Sequence, residues 1–436
     1  MQNTRVAADD PLDEQRLGTT TQLMYAAGSI GTGAFYAFNN FVLPPVLKAF
    51  GAPDLLIGLL SSTRSIEGAL IQPTVGALSD RIWTPLGRRR PFVLVGVPLS
   101  AMFFVAAAFV PDLGSLAVMI FLFSIFFNVA VDPYTALLAD ITPLHQRGWL
   151  SGLSAGVQLV SSVLFLLLVV FATSGGSGVP VWLYVVVAVV MVASFGVTAA
   201  GIREPRAVDH GQRLHFRAYM NGLLEQRQAM RYLGTLFVYQ FGLNAILPYL
   251  VLFVVDDIGA TEQVAFELSA ALLVVTALAA AGFGKLGDRM GTRRILALGW
   301  LLLAVSAVAG VFVATLQQTA AVVLVAGVGN GAATAVSWPL LTALIPHGKT
   351  GVFAGLKAAA ESIAIPLSVV VAAEVFLPWL GYRGIFAMLA VAIVLALVLL
   401  LCFVRVPRSV EPNPEAILVA RSAPSRGGET GETRGT

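Results

Sequence analysis

Charge is scarce in this 436-residue sequence: Asp, Glu, Lys and Arg make up 12% of it, against 57% hydrophobic residues. A water-soluble domain carries about 25% charged residues, so with a mean hydropathy of +0.83 an ordinary soluble enzyme is excluded. Cysteine is nearly absent. The single Cys402 sits in an apolar run, which excludes a disulfide framework and a cysteine-based metal or redox centre and leaves packing as its role. Histidine is limited to His145, His210, His215 and His347, and no Walker loop, zinc-ligand spacing or Ser–His–Asp set is found. The glycine patterns Gly31-x-Gly33 and Gly327-x-Gly329-x-Gly331 lie inside apolar helical runs with no strand before them, unlike a dinucleotide fingerprint. No metal, no cofactor and no catalytic set is expected, and the chain reads as a non-enzyme. Its start, MQNTRVAADDPLDEQRLG, is acidic and lacks the basic-then-apolar order of a signal peptide, so the first span is expected to stay in the mature protein.

What is present is a series of long apolar runs, at 21–45, 54–79, 92–110, 114–139, 149–173, 181–202, 231–255, 266–286, 293–314, 319–345, 352–378 and 382–404. Each comes close to or exceeds the ~20 residues that cross the hydrocarbon core. Lipid requires every backbone group to be paired within its span, so the runs read as helices, not as the shorter, alternating strands of a barrel. The expected fold is an all-α membrane protein: twelve transmembrane helices in two pseudo-symmetric six-helix bundles, residues 21–202 and 231–405. Residues 1–20 form a tail, and 203–230 a polar linker in which Leu214, Phe216, Tyr219, Met220 and Leu223 follow an amphipathic pattern. Residues 406–436, rich in Pro, Ser, Gly, Glu and Arg, are expected to be disordered.

Orientation follows from the placement of Lys and Arg. With the amino terminus in the cytosol, only Lys48 and Arg383 fall on the outer side, beside the acidic Asp256, Asp257 and Glu262. Both termini are therefore expected in the cytosol, and the protein in the cell inner (plasma) membrane. The net charge of +3 and pI of 9.1 reflect this topology, so the bilayer and not nucleic acid is the partner. A monomer is expected.

Two inner loops repeat a pattern. Between spans 2 and 3 the chain reads Gly76-Ala-Leu-Ser-Asp80-Arg81-Ile-Trp-Thr-Pro-Leu-Gly87-Arg88-Arg89-Arg90-Pro91-Phe92. Between spans 8 and 9 it reads Gly284-Lys-Leu-Gly-Asp288-Arg289-Met-Gly291-Thr-Arg293-Arg294. Glycine lets helices approach closely, while Asp and Arg at a bundle face can form an ion-pair gate that breaks as the halves rock. The alternative is that the arginines only set topology.

The second copy, G-x-x-x-D-R-x-G-x-R-R, together with the six-plus-six layout, resembles the major facilitator superfamily over about residues 20–405. The first has a longer spacer, Gln72-Pro73 before it and Pro91-Phe92 after it. With Leu43-Pro44-Pro45 and Ala136-Leu137-Leu138-Ala139-Asp140, the chain resembles the sucrose-transporter branch of the glycoside–pentoside–hexuronide cation symporters over about residues 40–160. The resemblance implies secondary active transport by alternating access, with proton-coupled symport of a sucrose- or maltose-like sugar. Two alternatives share the fold: a proton-driven exporter of drugs or metabolites, and a non-transporting relative that assists pigment-protein assembly.

An ionisable group at mid-membrane costs at least ~2.5 kcal/mol, so each one needs a partner or a task. Arg64 and Glu67 on span 2 are three apart and Lys357 and Glu361 on span 11 four apart, so each pair shares a helix face and can neutralise itself. In the superfamily these spans are neighbours, which implies one network across the two bundles. The resemblance further implies proton coupling at the acid of the Ala-Leu-Leu-Ala-Asp motif, here Asp140, with Arg147 as counter-charge; an interfacial gate pair is the alternative. Asp132, Glu67 and Glu361 complete the coupling candidates. For the sugar, Asn39, Asn40, Asn128, Gln158, Tyr239, Gln240, Asn244, Asn330 and Trp338, with Arg64 and Lys357, are the candidates. Amides offer both donor and acceptor to hydroxyls, and an indole face stacks on a pyranose. Any one of the polar residues alone reads as glue between helices; spread over both halves they read as the lining of one cavity. Gly148, Gly152 and Gly156 on span 5 read as close-packing positions.

Overall fold

The computed structural model describes residues 17–62, 74–75, 78–79, 82–174, 178–204, 226–345 and 350–405, without the side chains of 139, 144, 145, 288, 350–352, 354 and 355. Arg64, Glu67, Gly76, Asp80, Arg81, the amphipathic pattern of the linker and the side chain of Asp288 therefore lie outside the described residues.

Twelve helices in succession make up the described chain. Helix α1 runs Thr19–Ala37 and continues through a π-helical turn, Phe38–Val42, into Leu43–Ala49. Helix α2 is described at its start, Asp54–Leu60. Helices α3 (Arg90–Ala106), α4 (Leu113–Ile141), α5 (Leu144–Thr173) and α6 (Val181–Gly201) complete the first bundle. Helix α7 starts as Arg227–Ile246 and reaches Asp257 through short 3₁₀ and π turns. It is followed by α8 (Glu262–Met290), α9 (Thr292–Phe312), α10 (Leu316–Ala343), α11 (Thr350–Val371, continuing through a π turn to Leu380) and α12 (Arg383–Phe403). Ten of these are long and apolar enough to cross a membrane, by length and composition alone. Helix α1 is not among the ten, being rich in Gly, Ser, Thr and Asn; its Gly28, Ser29, Gly31, Thr32 and Gly33 are buried against protein, so it has little need of an apolar surface.

Local chemistry explains the ends. Asp112, Thr261 and Thr315 each accept a backbone N–H at the start of α4, α8 and α10, covering a donor the helix cannot pair internally. Gly291 turns α8 into α9 as a single residue with φ of 91°, a conformation that a side chain would strain. The π turns of α1 and α11 have a shared cause. Leu43 and Leu377 each precede a proline, and their N–H groups bond five residues back, to Phe38 and Ala372; the proline that follows has no N–H to continue the ladder.

The two bundles repeat in packing as well as in sequence. Gly96 on α3 lies where a Cβ would come 2.8 Å from the Phe126 carbonyl of α4, and Gly299 on α9 where one would come 2.8 Å from the Gly329 carbonyl of α10. Helix starts and ends gather at two opposite faces. The one holding the ends of α4, α6, α8, α10 and α12 is the basic face; the other, with Asp54, Asp112, Asp256 and Asp257, is the acidic face. The apolar core is divided unequally between them. One cluster is continuous from Phe38, Leu43 and Ile57 into Tyr249–Val254, Phe266, Val313 and Phe386, and so joins the bundles near the acidic face. A second, around Tyr232, Trp300, Leu340 and Ile393, is made of buried residues of α7, α9, α10, α11 and α12, with Phe283 and Leu286 of α8 packed against it.

Candidate functional site

The arginines that open α3 are held from two sides. Glu204, three residues past the end of α6, accepts the backbone N–H groups of Arg88, Arg89 and Arg90 at 2.6 to 3.0 Å. This places a carboxylate at a helix start, where the peptide dipoles favour it. Gly87, with φ of 110°, leaves room for that carboxylate: a Cβ there would come 2.6 Å from Glu204 Oε1. With the loop so fixed, Arg88 reaches Asp140 on α4 at 2.8 Å and Arg89 at 3.0 Å, and Arg89 also donates to Ser79. The counter-charge of Asp140 is thus corrected. Among the described residues it is Arg88 and Arg89, while Arg147 donates its Nε to the Thr142 carbonyl at 3.0 Å. The helix is interrupted at Thr142 and Pro143 between α4 and α5, which carries Arg147 onto the next helix, whereas Arg88 and Arg89, just before α3, meet Asp140 at the end of α4.

The second loop copy does something else. Arg293 donates to the Leu401 carbonyl at 2.9 Å and the Leu400 carbonyl at 3.4 Å. It caps the last turn of α12, where unpaired C=O groups favour a cation. Gly284 lies in open space and Arg289 is exposed at the end of α8; Arg294 opens α9 beside Arg293.

In the membrane interior, the polar residues of α7 join those of α10 and α11. Tyr239 donates to Asn330 Oδ1 at 3.0 Å and stacks on the buried Trp300 at 5.2 Å. Gln240 donates to Glu361 Oε1 at 3.0 Å, and Lys357 pairs with the same oxygen. Asn244 donates back to the Gln240 carbonyl at 2.9 Å, a bond within its own helix. Trp338 is half-buried on α10 next to Ser337, whose carbonyl takes the Tyr232 hydroxyl.

The first-bundle candidates are less gathered. Asn39 is buried and donates to the Ser61 carbonyl at 2.6 Å, tying α1 to the end of the described part of α2. Asn128 donates to the Ser124 carbonyl of its own helix. Gln158 lies beside α1, its backbone oxygen taking the Ser162 hydroxyl. Asn40 and Asp132 are half-buried. The sequence carries a further repeat: Asn40-Phe-Val-Leu-Pro44 on α1 recurs as Asn244-Ala-Ile-Leu-Pro248 on α7, so Asn40 and Asn244 occupy matching places on the first helix of each bundle.

The family is decided by the sequence as a whole. The profile described as MFS/sugar transport protein matches residues 24–407. The chain belongs to that family. A multidrug resistance protein, MdtG, of Salmonella paratyphi C is 27% identical over 367 residues, which cover 80% of this chain and 84% of that one. Among solved structures, a D-xylose–proton symporter superposes with a TM-score of 0.70 at 17% identity, covering 90% of this chain and 99% of its own. A bacterial homologue of the lysosomal transporter Spinster, in an inward-facing and occupied conformation, gives 0.66 at 14%, covering 91% and 97%. These likenesses establish the fold. An MFS transporter is not an enzyme, and this one is a multi-pass membrane protein.

Two parts of this MFS protein carry little signal in the sequence. Glu204 has no neighbour in sequence that marks it. At the acidic face, Lys48 of α1 pairs with Asp256 of α7 and donates to the Tyr382 hydroxyl at 3.1 Å. Tyr382 donates in turn to Asp54 of α2 at 2.9 Å. The signal there was the rarity of basic residues on that side. The glycines of α5 are a further correction. A Cβ on Gly148, Gly152 or Gly156 would meet nothing within 4 Å, and the three line an open apolar groove of about 640 Å³ with Ile30, Trp149 and Leu164. The close approach of α1 to α5 is made by Gly33 instead, against the Gln158 carbonyl.

Proposed function

We propose that this protein is a proton-driven sugar symporter that binds a sucrose- or maltose-like sugar between its bundles and exposes it to each side in turn. The observation that carries the reading is the cluster of Tyr239, Asn330, Gln240, Glu361 and Lys357, which brings three helices of the second bundle together around amide, hydroxyl and carboxylate groups. Such groups exchange hydrogen bonds with a polyol, and Trp300 behind Tyr239 fixes that ring. The family's description as sugar transport supports the same class. Asn40 and Asn244 face the cargo from α1 and α7. The basic face is cytosolic, the protein works as a monomer in the inner membrane, and Asp140 carries the proton: protonation removes the charge that holds Arg88 and Arg89, which links proton binding to release of the basic-face loop. Glu361 is the second candidate.

Uptake of labelled sucrose, maltose and glucose into proteoliposomes, with an imposed pH or Na⁺ gradient, tests the reading. Accumulation of one sugar driven by the pH gradient is expected, and no accumulation of any under either gradient overturns it. A second reading, export of drugs, is favoured by the similarity to a multidrug resistance protein. Proton-driven concentration of a lipophilic cation inside inverted vesicles, with no sugar uptake, would select it.

A further inference from the structure

All hydrogen bonds and ion pairs between the two bundles, among those described, lie at the acidic face. They form a closed circuit. Lys48 on α1 meets Asp256 on α7, and its ammonium also lies 4.9 Å from the centre of the Tyr382 ring. The Tyr382 hydroxyl donates to the Asp54 carboxylate on α2, and the Tyr249 hydroxyl of α7 donates to the Asp54 carbonyl at 2.9 Å. Burial, with the Asp54 carboxylate beside it, holds the Tyr382 phenol well above its ordinary range, so it stays a donor. Gly58, one turn further along α2, is pressed against the second bundle: a Cβ there would collide with Tyr249 Oη and Val369 Cγ1, side chains of α7 and α11. The apolar core is continuous between the bundles at this level, while the far part of the second bundle keeps a core of its own.

We infer that Lys48, Asp256, Tyr382, Asp54 and Gly58 form a latch that seals the transport pathway at the acidic face, and that the cycle requires this latch to open. The inference stands on the two-bundle architecture and on neither cargo. Three features set its strength. Lys48 and Asp256 are 39% and 34% exposed, so solvent screens the pair and its own contribution is modest. The steric fit at Gly58 is dry and unforgiving. Nor can another cation stand in for Lys48: Arg383, the other base on this face, pairs with Asp257 of its own bundle at 3.8 Å.

The test uses the full chain in liposomes, in a Cys402→Ser background, with spin labels at Val181 and Leu316 for the acidic face and at Ser151 and Met290 for the basic face. Lys48→Asp is expected to shift the latched-to-open ratio by about two- to fivefold. Gly58→Val, which removes the close approach with every charge intact, is expected to shift it about tenfold or more. In both, the 181–316 distance lengthens while 151–290 shortens, a reciprocal change that loss of structure would not produce. Combining Lys48→Asp with Asp256→Lys is expected to restore both distances. Unchanged distances in folded Lys48→Asp protein, or a double variant no closer to the parent than the single, would overturn the latch. Should Gly58→Val not fold, the charge-swap series decides by itself. Failure of sugar uptake with the reciprocal shift present would reject the cargo and leave the latch standing.

Discussion

The junction of α3 with α6 and that of α9 with α12 are built from copies of one loop, yet they are closed by opposite charges. In the first bundle the chain leaving α6 supplies an anion, Glu204, to the open N–H groups at the start of α3. In the second, the start of α9 supplies a cation, Arg293, to the open carbonyls at the end of α12. Both answer the same demand, since a helix end near the bilayer needs partners for its unpaired backbone groups. The consequences differ. Because Glu204 takes the backbone of the first loop, the Arg88 and Arg89 side chains remain available to reach Asp140. Arg293 donates to backbone, and among the described residues no carboxylate pairs with it. Aligning Leu137-Leu138-Ala139-Asp140-Ile141-Thr142-Pro143 with Leu340-Leu341-Thr342-Ala343-Leu344-Ile345-Pro346 places Ala343 where the first bundle has Asp140. Among the described residues, one copy of the motif thus reaches an acid across helices and the other caps a helix end.

Removing the acid should break the contrast most. Asp140→Asn deletes the charge that both arginines meet, and a neutral amide cannot load and release a proton. Uphill accumulation of sugar in proteoliposomes is expected to disappear, while exchange of sugar down no gradient persists, because the amide resembles the protonated state. Normal accumulation by this variant would remove Asp140 from coupling and turn attention to Glu361.

A smaller effect separates the two junctions themselves. Glu204→Gln keeps the shape but loses the charged acceptor of three N–H groups, and hydrogen bonds to charged groups are each worth about 1.5–3 kcal/mol. It should lower thermal stability and also slow transport, since Arg88 and Arg89 are positioned through that carboxylate. Arg293→Ala should lower stability by about 1 kcal/mol and leave the transport rate of the folded fraction unchanged. Equal slowing in both variants, after correction for folded protein, would mean that both copies switch.

Much of this architecture could be read from the chain because lipid imposes one rule throughout. Apolar runs of sufficient length became helices, and the described ends of α3, α6 and α12 fall within a few residues of the apolar limits. Observed helices such as α5 and α8 run further, since their polar first and last turns carry no apolar signal. The contacts between spans were less visible. Asp140 stood out as an ionisable group on an apolar helix, but its partners sit some fifty residues earlier, and nearness in sequence pointed to Arg147. Lys48 and Asp256 mark the topology in the sequence, which gives no sign that they meet. The central pair Lys357–Glu361 was legible because helical spacing alone brings it together; Gln240, on another helix, was found only by its polarity.

The smallest expected effect concerns the glycines, where spacing misled. A stripe at every fourth residue says that one helix face is bare, and not whether a helix or a groove lies against it. Gly33 of α1 has the Gln158 carbonyl pressed upon it, while Gly148, Gly152 and Gly156 of α5 open onto a groove. Gly152→Ala adds a methyl group into space and removes backbone freedom, which in a helix favours alanine by about 0.8–1.0 kcal/mol. Its melting temperature should be unchanged or slightly higher. A marked fall, measured in the same detergent as the parent, would show that the α5 stripe is packed in solution and that the groove closes. A stable variant whose turnover drops would instead place that packing in the other half of the cycle, when the acidic-face latch is open and the basic face must shut.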